Sequence, residues 1–154
     1  MKPPKLPMEG ACRCGHTRIR ITAAPLVTSA CHCTGCQKMT GSAYSLSAMF
    51  PAEGFEVTEG APVIGGLRGP DQRHHFCPDC MSWMFTTFPA MEAVVNLRAT
   101  MLDDVSWFEP FVETMTDERL PWVRTPARHG FEGFPPIERF ESLMAEFAQA
   151  QQGA

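Results

Sequence analysis

Seven cysteines in 154 residues constrain this chain more than any other feature. They fall into three tight groups: Cys12-x-Cys14, Cys31-x-Cys33-x-x-Cys36 and Cys77-x-x-Cys80. An odd number cannot all pair within one chain, so a complete disulfide framework is excluded. Seven of 154 also falls below the ~8–10% typical of disulfide scaffolds. A chain of this size buries roughly 70% of its unfolded surface, so its core needs no covalent staples. The pattern reads as a metal-binding or redox-active protein of a reducing compartment, with the cytoplasm as the expected location.

The spacings suggest how the thiols divide. Side chains two residues apart on a strand share a face, so Cys12 and Cys14 can both reach one ion. The x-x spacing of Cys77 and Cys80 suits a tight turn presenting two thiolates, as in zinc ribbons. Together the two pairs make a closed four-thiolate set, which would tie the N-terminal strand to the hairpin near position 78. Metal binding energy at such a site becomes folding energy. Cys31, Cys33 and Cys36 remain as a triplet without a fourth cysteine. Three protein ligands and one open position characterise a reactive zinc site. All-thiolate ligation selects zinc, copper(I) or an iron–sulfur cluster. Three thiolates leave zinc a weak acid toward water and a good host for a further thiol, which it would hold as the nucleophilic thiolate.

Spacing alone leaves other groupings open. Cys12 and Cys14 could join part of the triplet, and His16, His32, His74 and His75 all lie near cysteines. His32 stands between two candidate ligands. On an extended segment it points away from the metal, which makes it an outer or exposed residue.

Composition removes several function classes. Thirteen Lys and Arg against seventeen Asp and Glu leave a net charge of −4, which gives no general attraction for nucleic acid. The segment Met1–Pro7 has basic residues but no apolar run behind them, so no secretory signal is expected. No stretch approaches the roughly 20 apolar residues that a membrane span needs. Oligomeric state is not legible.

The chain carries no internal repeat and no low-complexity tract. Residues 1–9 read as an extended leader, 10–136 as one β domain and 137–154 as a terminal helix. Thr17–Thr22 alternates with period two, as does Tyr44–Phe50, where Tyr44, Leu46, Ala48 and Phe50 share a face. Phe55–Thr58, Val63–Leu67, His75–Phe76, Met84–Thr87 and Ala93–Leu97 are shorter strand candidates between Gly and Pro punctuation. Ser106–Thr114 is a further candidate, and Pro121–Pro136 reads as an ordered loop. Ile137, Phe140, Leu143, Met144 and Phe147 then recur at helical spacing, predicting an amphipathic helix docked on the sheet.

Three stretches carry a resemblance: Gly10-Ala11-Cys12-Arg13-Cys14-Gly15, Cys31-His32-Cys33-Thr34-Gly35-Cys36-Gln37-Lys38-Met39-Thr40-Gly41-Ser42, and Phe76-Cys77-Pro78-Asp79-Cys80. Over residues 8 to 115 the order and spacing of all seven cysteines resemble the glutathione-dependent formaldehyde-activating enzyme family. The resemblance implies a mainly β fold of several coiled antiparallel sheets around zinc, with the C-terminal amphipathic helix added to it. It implies a structural zinc on Cys12, Cys14, Cys77 and Cys80, and a second, catalytic zinc on Cys31, Cys33 and Cys36. The implied activity is that of a carbon–sulfur lyase adding the glutathione thiol to formaldehyde, so the implied partners are a small thiol and an aldehyde, with no nucleic acid and no membrane. The family usually places glycine after its last cysteine, where this chain has Met81. A turn of the same shape would hold Met81 at a positive φ, a strained conformation for a residue with a Cβ.

An anionic tripeptide would seek arginines, and Arg18, Arg20, Arg68 and Arg73 are available, none singled out. His32 is the nearest guess for a general acid. Two other classes fit the residues: a non-catalytic zinc module with one structural ion and a protein-binding surface, and a thiol redox protein cycling Cys31, Cys33 and Cys36.

Overall fold

The alternating stretches become strands, and the Gly- and Pro-rich segments between them become turns. The computed structural model describes residues 1–67 and 69–153. Its first half runs β1 (Met8–Ala11), β2 (Arg18–Ile21), β3 (Val27–Cys31), α1 (Thr34–Thr40), β4 (Ser45–Pro51), β5 (Phe55–Glu59) and β6 (Val63–Gly65). The rest runs β7 (Arg73–Phe76), β8 (Trp83–Thr87), β9 (Val94–Arg98), β10 (Val112–Thr114), β11 (His129–Gly130) and α2 (Ile137–Gln152). Among the described residues these strands form a three-stranded sheet, β1-β2-β5, and an eight-stranded sheet, β11-β10-β3-β4-β9-β8-β7-β6.

The mainly β class with a terminal helix is therefore as expected, with one difference in strand direction. The small sheet is antiparallel, but β10 runs parallel to both β3 and β11 in the large one. That pairing joins Val112 to Ser29 and Thr114 to Cys31 across most of the chain. The alternation of single strands carries no information about it. Three further elements lie outside the sequence reading. β1 begins inside the segment read as a leader, β3 has no clean alternation, and α1 is short with Gly35 inside it. The strand expected over 106–114 is confined to its last three residues.

The large sheet has two unlike faces. Ala48 and Phe50 of β4, Val95 and Leu97 of β9, and Met84 and Phe85 of β8 pack with Ile19 and Ile21 of the small sheet into a dry core. Fully burying such a side chain contributes ~1.5–3 kcal/mol, so this inter-sheet layer carries most of the fold's apolar stabilisation. Gly10 docks the small sheet onto Leu102 through an isolated bridge, and any side chain at Gly10 would collide with the Met101 carbonyl. On the opposite face β4 presents Ser45, Ser47 and Met49, and β9 presents Asn96 and Arg98. That face is polar at its centre. Its apolar end, Val27 and Val112, joins Phe111 and is covered by Leu143 and Phe147 of α2.

Leu143, Phe147 and Gln151 recur every four residues and form the buried stripe of α2. Ile137, placed on that stripe by periodicity, is 78% exposed. It occupies the first helical turn, which projects past the residues that α2 covers. Among the described residues no helix is long and apolar enough to cross a membrane.

Candidate metal centres

The four cysteines of the first and last groups meet at the ends of two turns that belong to different sheets. Cys12 and Cys14 leave β1 in the turn to β2, and Cys77 and Cys80 lie in the turn between β7 and β8. Their four Sγ atoms all lie within 4.8 Å of one another. Cys12 Sγ is 3.5 Å from Cys14 Sγ, which is 3.8 Å from Cys77 Sγ. Thiolates about 2.3 Å from a tetrahedral zinc stand roughly 3.8 Å apart, so the spacing fits that ion. Backbone N–H groups turn toward the sulfurs as well, with Thr17 N donating to Cys12 Sγ at 3.3 Å. The Ser82 hydroxyl, 3.2 Å from Cys80 Sγ, is the main cause that holds this thiol down at about 5. His16 Nδ1 and Asp79 Oδ2, 2.8 Å apart, bridge the same two turns at the surface.

Met81 follows in the β7–β8 turn with φ 56°. The expected left-handed conformation is therefore present, held by the Met81 N–H donating to the Cys77 carbonyl at 3.0 Å. The Met81 side chain is 56% exposed, so no packing compensates the backbone strain.

The triplet is built differently. Cys31 ends β3, Cys33 caps α1, and Cys36 lies within α1. The Cys36 N–H donates to Cys33 Sγ at 3.2 Å, so the capping bond also aims that sulfur. These three Sγ atoms also lie within 4.8 Å of one another. Hydrogen bonds from Cys36, and behind it from Thr114 and Cys33, hold the Cys31 thiol down at about 5 against the opposing effect of burial. The same contact with Cys31, aided by burial, pushes the Cys36 thiol far up. Burial likewise raises Cys33. Both cysteine groups could hold a soft or borderline metal ion.

His32 is not a member of either group. It is fully buried, not exposed, and its Nε2 donates to Glu113 Oε1 at 3.1 Å. Glu113 also accepts from Arg119 at 3.0 Å and Thr125 at 2.6 Å. A second anchor holds the start of α1: Thr34 N–H donates to Glu118 Oε2 at 2.6 Å, and Gln37 Nε2 donates to the His32 carbonyl at 2.6 Å. These bonds fix the loop that carries Cys31 and Cys33.

A cavity of about 440 Å³ opens beside the triplet, with Cys31, Cys33 and Cys36 in its wall. The polar face of the large sheet forms its floor, and Phe134, Pro135, Phe140 and Leu143 close another side. Within it, Arg98 is 5% exposed and lies 4.1 Å over the Trp83 ring. Burial lowers Arg98 to about 10, opposed by its electrostatic interaction with the cysteine triplet, so it stays cationic at neutral pH. His74 also lines the cavity, hydrogen-bonded through Nδ1 to Thr86 Oγ1 at 2.9 Å. Burial first, and Arg98 second, hold His74 below the usual histidine value.

Neither Arg98 nor the cavity is evident in the sequence. The signal was present only as a charged residue closing the apolar run of β9. Of the arginines weighed earlier, Arg20 pairs with Glu9 at 2.7 Å, Arg18 and Arg73 are absent from the cavity wall, and Arg68 lies outside the described residues.

A family model described as "Glutathione-dependent formaldehyde-activating enzyme" matches residues 7–118. The chain belongs to the glutathione-dependent formaldehyde-activating enzyme family. The match takes in all seven cysteines of both centres and stops before the residues that complete the cavity wall at 134–143. The fold is also similar to the crystal structure of a Rhodobacter sphaeroides protein, with 18% identity and a TM-score of 0.54. That likeness covers 64% of this chain and 91% of the other, and it bears on the fold alone. No curated protein matches the chain.

Proposed function

We propose that this chain is a zinc-dependent carbon–sulfur lyase that joins a small, glutathione-like thiol to an aldehyde such as formaldehyde. Cys31, Cys33 and Cys36 are the catalytic ligands, and Cys12, Cys14, Cys77 and Cys80 hold a structural zinc. The observation that carries this reading is that the three-thiol group lines a cavity. Bound there, zinc supplies an open coordination position that favours the thiolate form of an incoming thiol.

The chain's own residues account for the rest. The Cys33 cap and the hydrogen-bonded Cys31 and Cys36 fix three donors around one point. Arg98 opposes the negative charge that accumulates when a further thiolate joins three cysteines, a role suited to a desolvated guanidinium. The Met and Phe side chains that line the cavity limit water near the reacting carbonyl. His74 is held below the usual histidine value by burial and then by Arg98, which favours its neutral form beside the cavity. Residues 10–136 form the β domain of this reading, 137–154 the appended segment that carries α2, and a reducing cytoplasm is the setting that keeps the thiols free.

Elemental analysis on anaerobically purified protein, followed by NMR exchange spectroscopy with glutathione and formaldehyde, tests the proposal. Two zinc ions per chain and faster adduct exchange than in buffer are expected. One zinc with three freely titratable thiols would sink the catalytic centre. Full zinc loading with no acceleration would remove the reaction.

A further inference from the structure

The cavity and the proposed substrates are poorly matched in chemistry. Formaldehyde has one carbon, and the cavity volume of about 440 Å³ lies within the ~300–1,000 Å³ of sites that enclose whole small molecules. Glutathione would enter with two carboxylates and an ammonium. Among the described lining residues there is one permanent cation, Arg98, and no carboxylate. Most of the remaining wall is apolar, with Met39, Met49, Phe88, Phe134, Phe140 and Leu143 contributing. The last three of these lie beyond the family match, Phe134 in the loop before α2 and Phe140 and Leu143 on α2.

Arg98 adds an independent observation. Its Nε is buried without a hydrogen-bond partner among the described residues, and its Nη2 reaches only the Asn96 carbonyl at 3.5 Å. A buried N–H without an acceptor is destabilising, and a ligand oxygen would relieve it.

We propose that this cavity takes an aldehyde with an extended apolar body, its carbonyl oxygen set against Arg98. The inference rests on the thiol-adduct reading and specifies its electrophile. The thiol releases its proton to solvent and its sulfur attacks the carbonyl carbon. As the carbon–sulfur bond forms, the carbonyl π pair moves onto oxygen beside Arg98. That oxygen takes a proton from water, giving a hemithioacetal with no net oxidation or reduction. The apolar tail packs among the methionines and phenylalanines, while the thiol's polar parts remain toward the opening.

The test uses the zinc-loaded full chain in two arms. Calorimetry with unreactive straight-chain alcohols, from propanol to decanol, reads the cavity without turnover. Affinity should rise about three- to fourfold per added methylene, following the usual transfer scale, and Phe140→Ala should flatten that rise. NMR-detected adduct formation with glutathione, using aldehydes of the same lengths, reads the reaction. There kcat/KM should climb with chain length. Arg98→Gln should lower it by roughly a hundredfold to a thousandfold at every length, with partial rescue by Arg98→Lys. Formaldehyde turned over as well as octanal, with no alcohol binding, overturns the substrate class and leaves the thiol-adduct reading standing. Octanol binding without turnover of any aldehyde overturns the reaction and the aldehyde assignment together.

Discussion

The two cysteine centres offer similar donors in opposite settings. The quartet joins two turns from two sheets, and its sulfurs are met by backbone N–H groups, a serine hydroxyl and each other. The triplet sits on one strand end and one short helix, over a cavity with a buried arginine. Donor type alone therefore does not separate a structural site from a reactive one. The number of donors and the space beside them do. A closed set leaves nothing to exchange, whereas three donors over a cavity leave room for a fourth group that arrives and departs.

Substitutions can break this contrast, beginning with the largest effect. Cys77→Ser should abolish the cooperative thermal transition and the circular dichroism of the fold, because structural zinc in small domains contributes on the order of 10 kcal/mol. A folded Cys77→Ser protein with one metal would show that the quartet is dispensable. Glu113→Gln comes next. It weakens the charged bonds to His32 and Arg119 that hold the triplet loop, at a cost of about 2–3 kcal/mol in urea unfolding. Its zinc content should fall at the triplet alone, read as a drop toward one ion per chain.

Cys33→Ala should be milder for stability and decisive for activity. Loss of the α1 cap costs about 1 kcal/mol, while one zinc and all adduct formation disappear. Unfolding on this change would mean that the triplet, too, is structural. Met81→Gly is the smallest effect and the only gain. Relief of a left-handed residue, less the entropy glycine adds to the unfolded chain, should raise stability by about 0.5–1 kcal/mol. A loss in the same unfolding assay would show that Met81 makes contacts which outweigh its strain.

The cysteine sets were legible because short spacings encode local geometry. Cys12 and Cys14 lie in the turn after β1 rather than on the strand face the spacing suggested. Yet in a turn as on a strand a two-residue spacing keeps both sulfurs within reach of one point. The inter-sheet core was legible in part, since Ala48 and Phe50 do share the buried face. The opposite face was not. Ser45, Ser47 and Asn96 look like solvent-facing strand residues, and only the return of the segment after position 130 turns them into a cavity floor. His32 shows the same limit. Its direction away from the metal followed from local backbone, but its burial depends on Glu113, which lies 81 residues further on. β3 escaped notice because Thr28 and Ser29 interrupt any apolar period, and its stability comes from β4 on one side and a parallel β10 on the other.

The quartet has a kinetic consequence as well. Cys14 and Cys77 stand 63 residues apart, so a metal ion held as proposed would close a loop of about two-fifths of the chain. Loop-closure entropy must be met before long-range contacts return any stability, which slows folding of such topologies. An ion that joins the β1–β2 turn to the β7–β8 turn shortens that search by bringing both sheets together early. Refolding should therefore accelerate with zinc concentration until association of the ion ceases to limit it. Under the proposed structural zinc, metal supply during synthesis would then govern the time this chain spends with unpaired strand edges exposed to its neighbours.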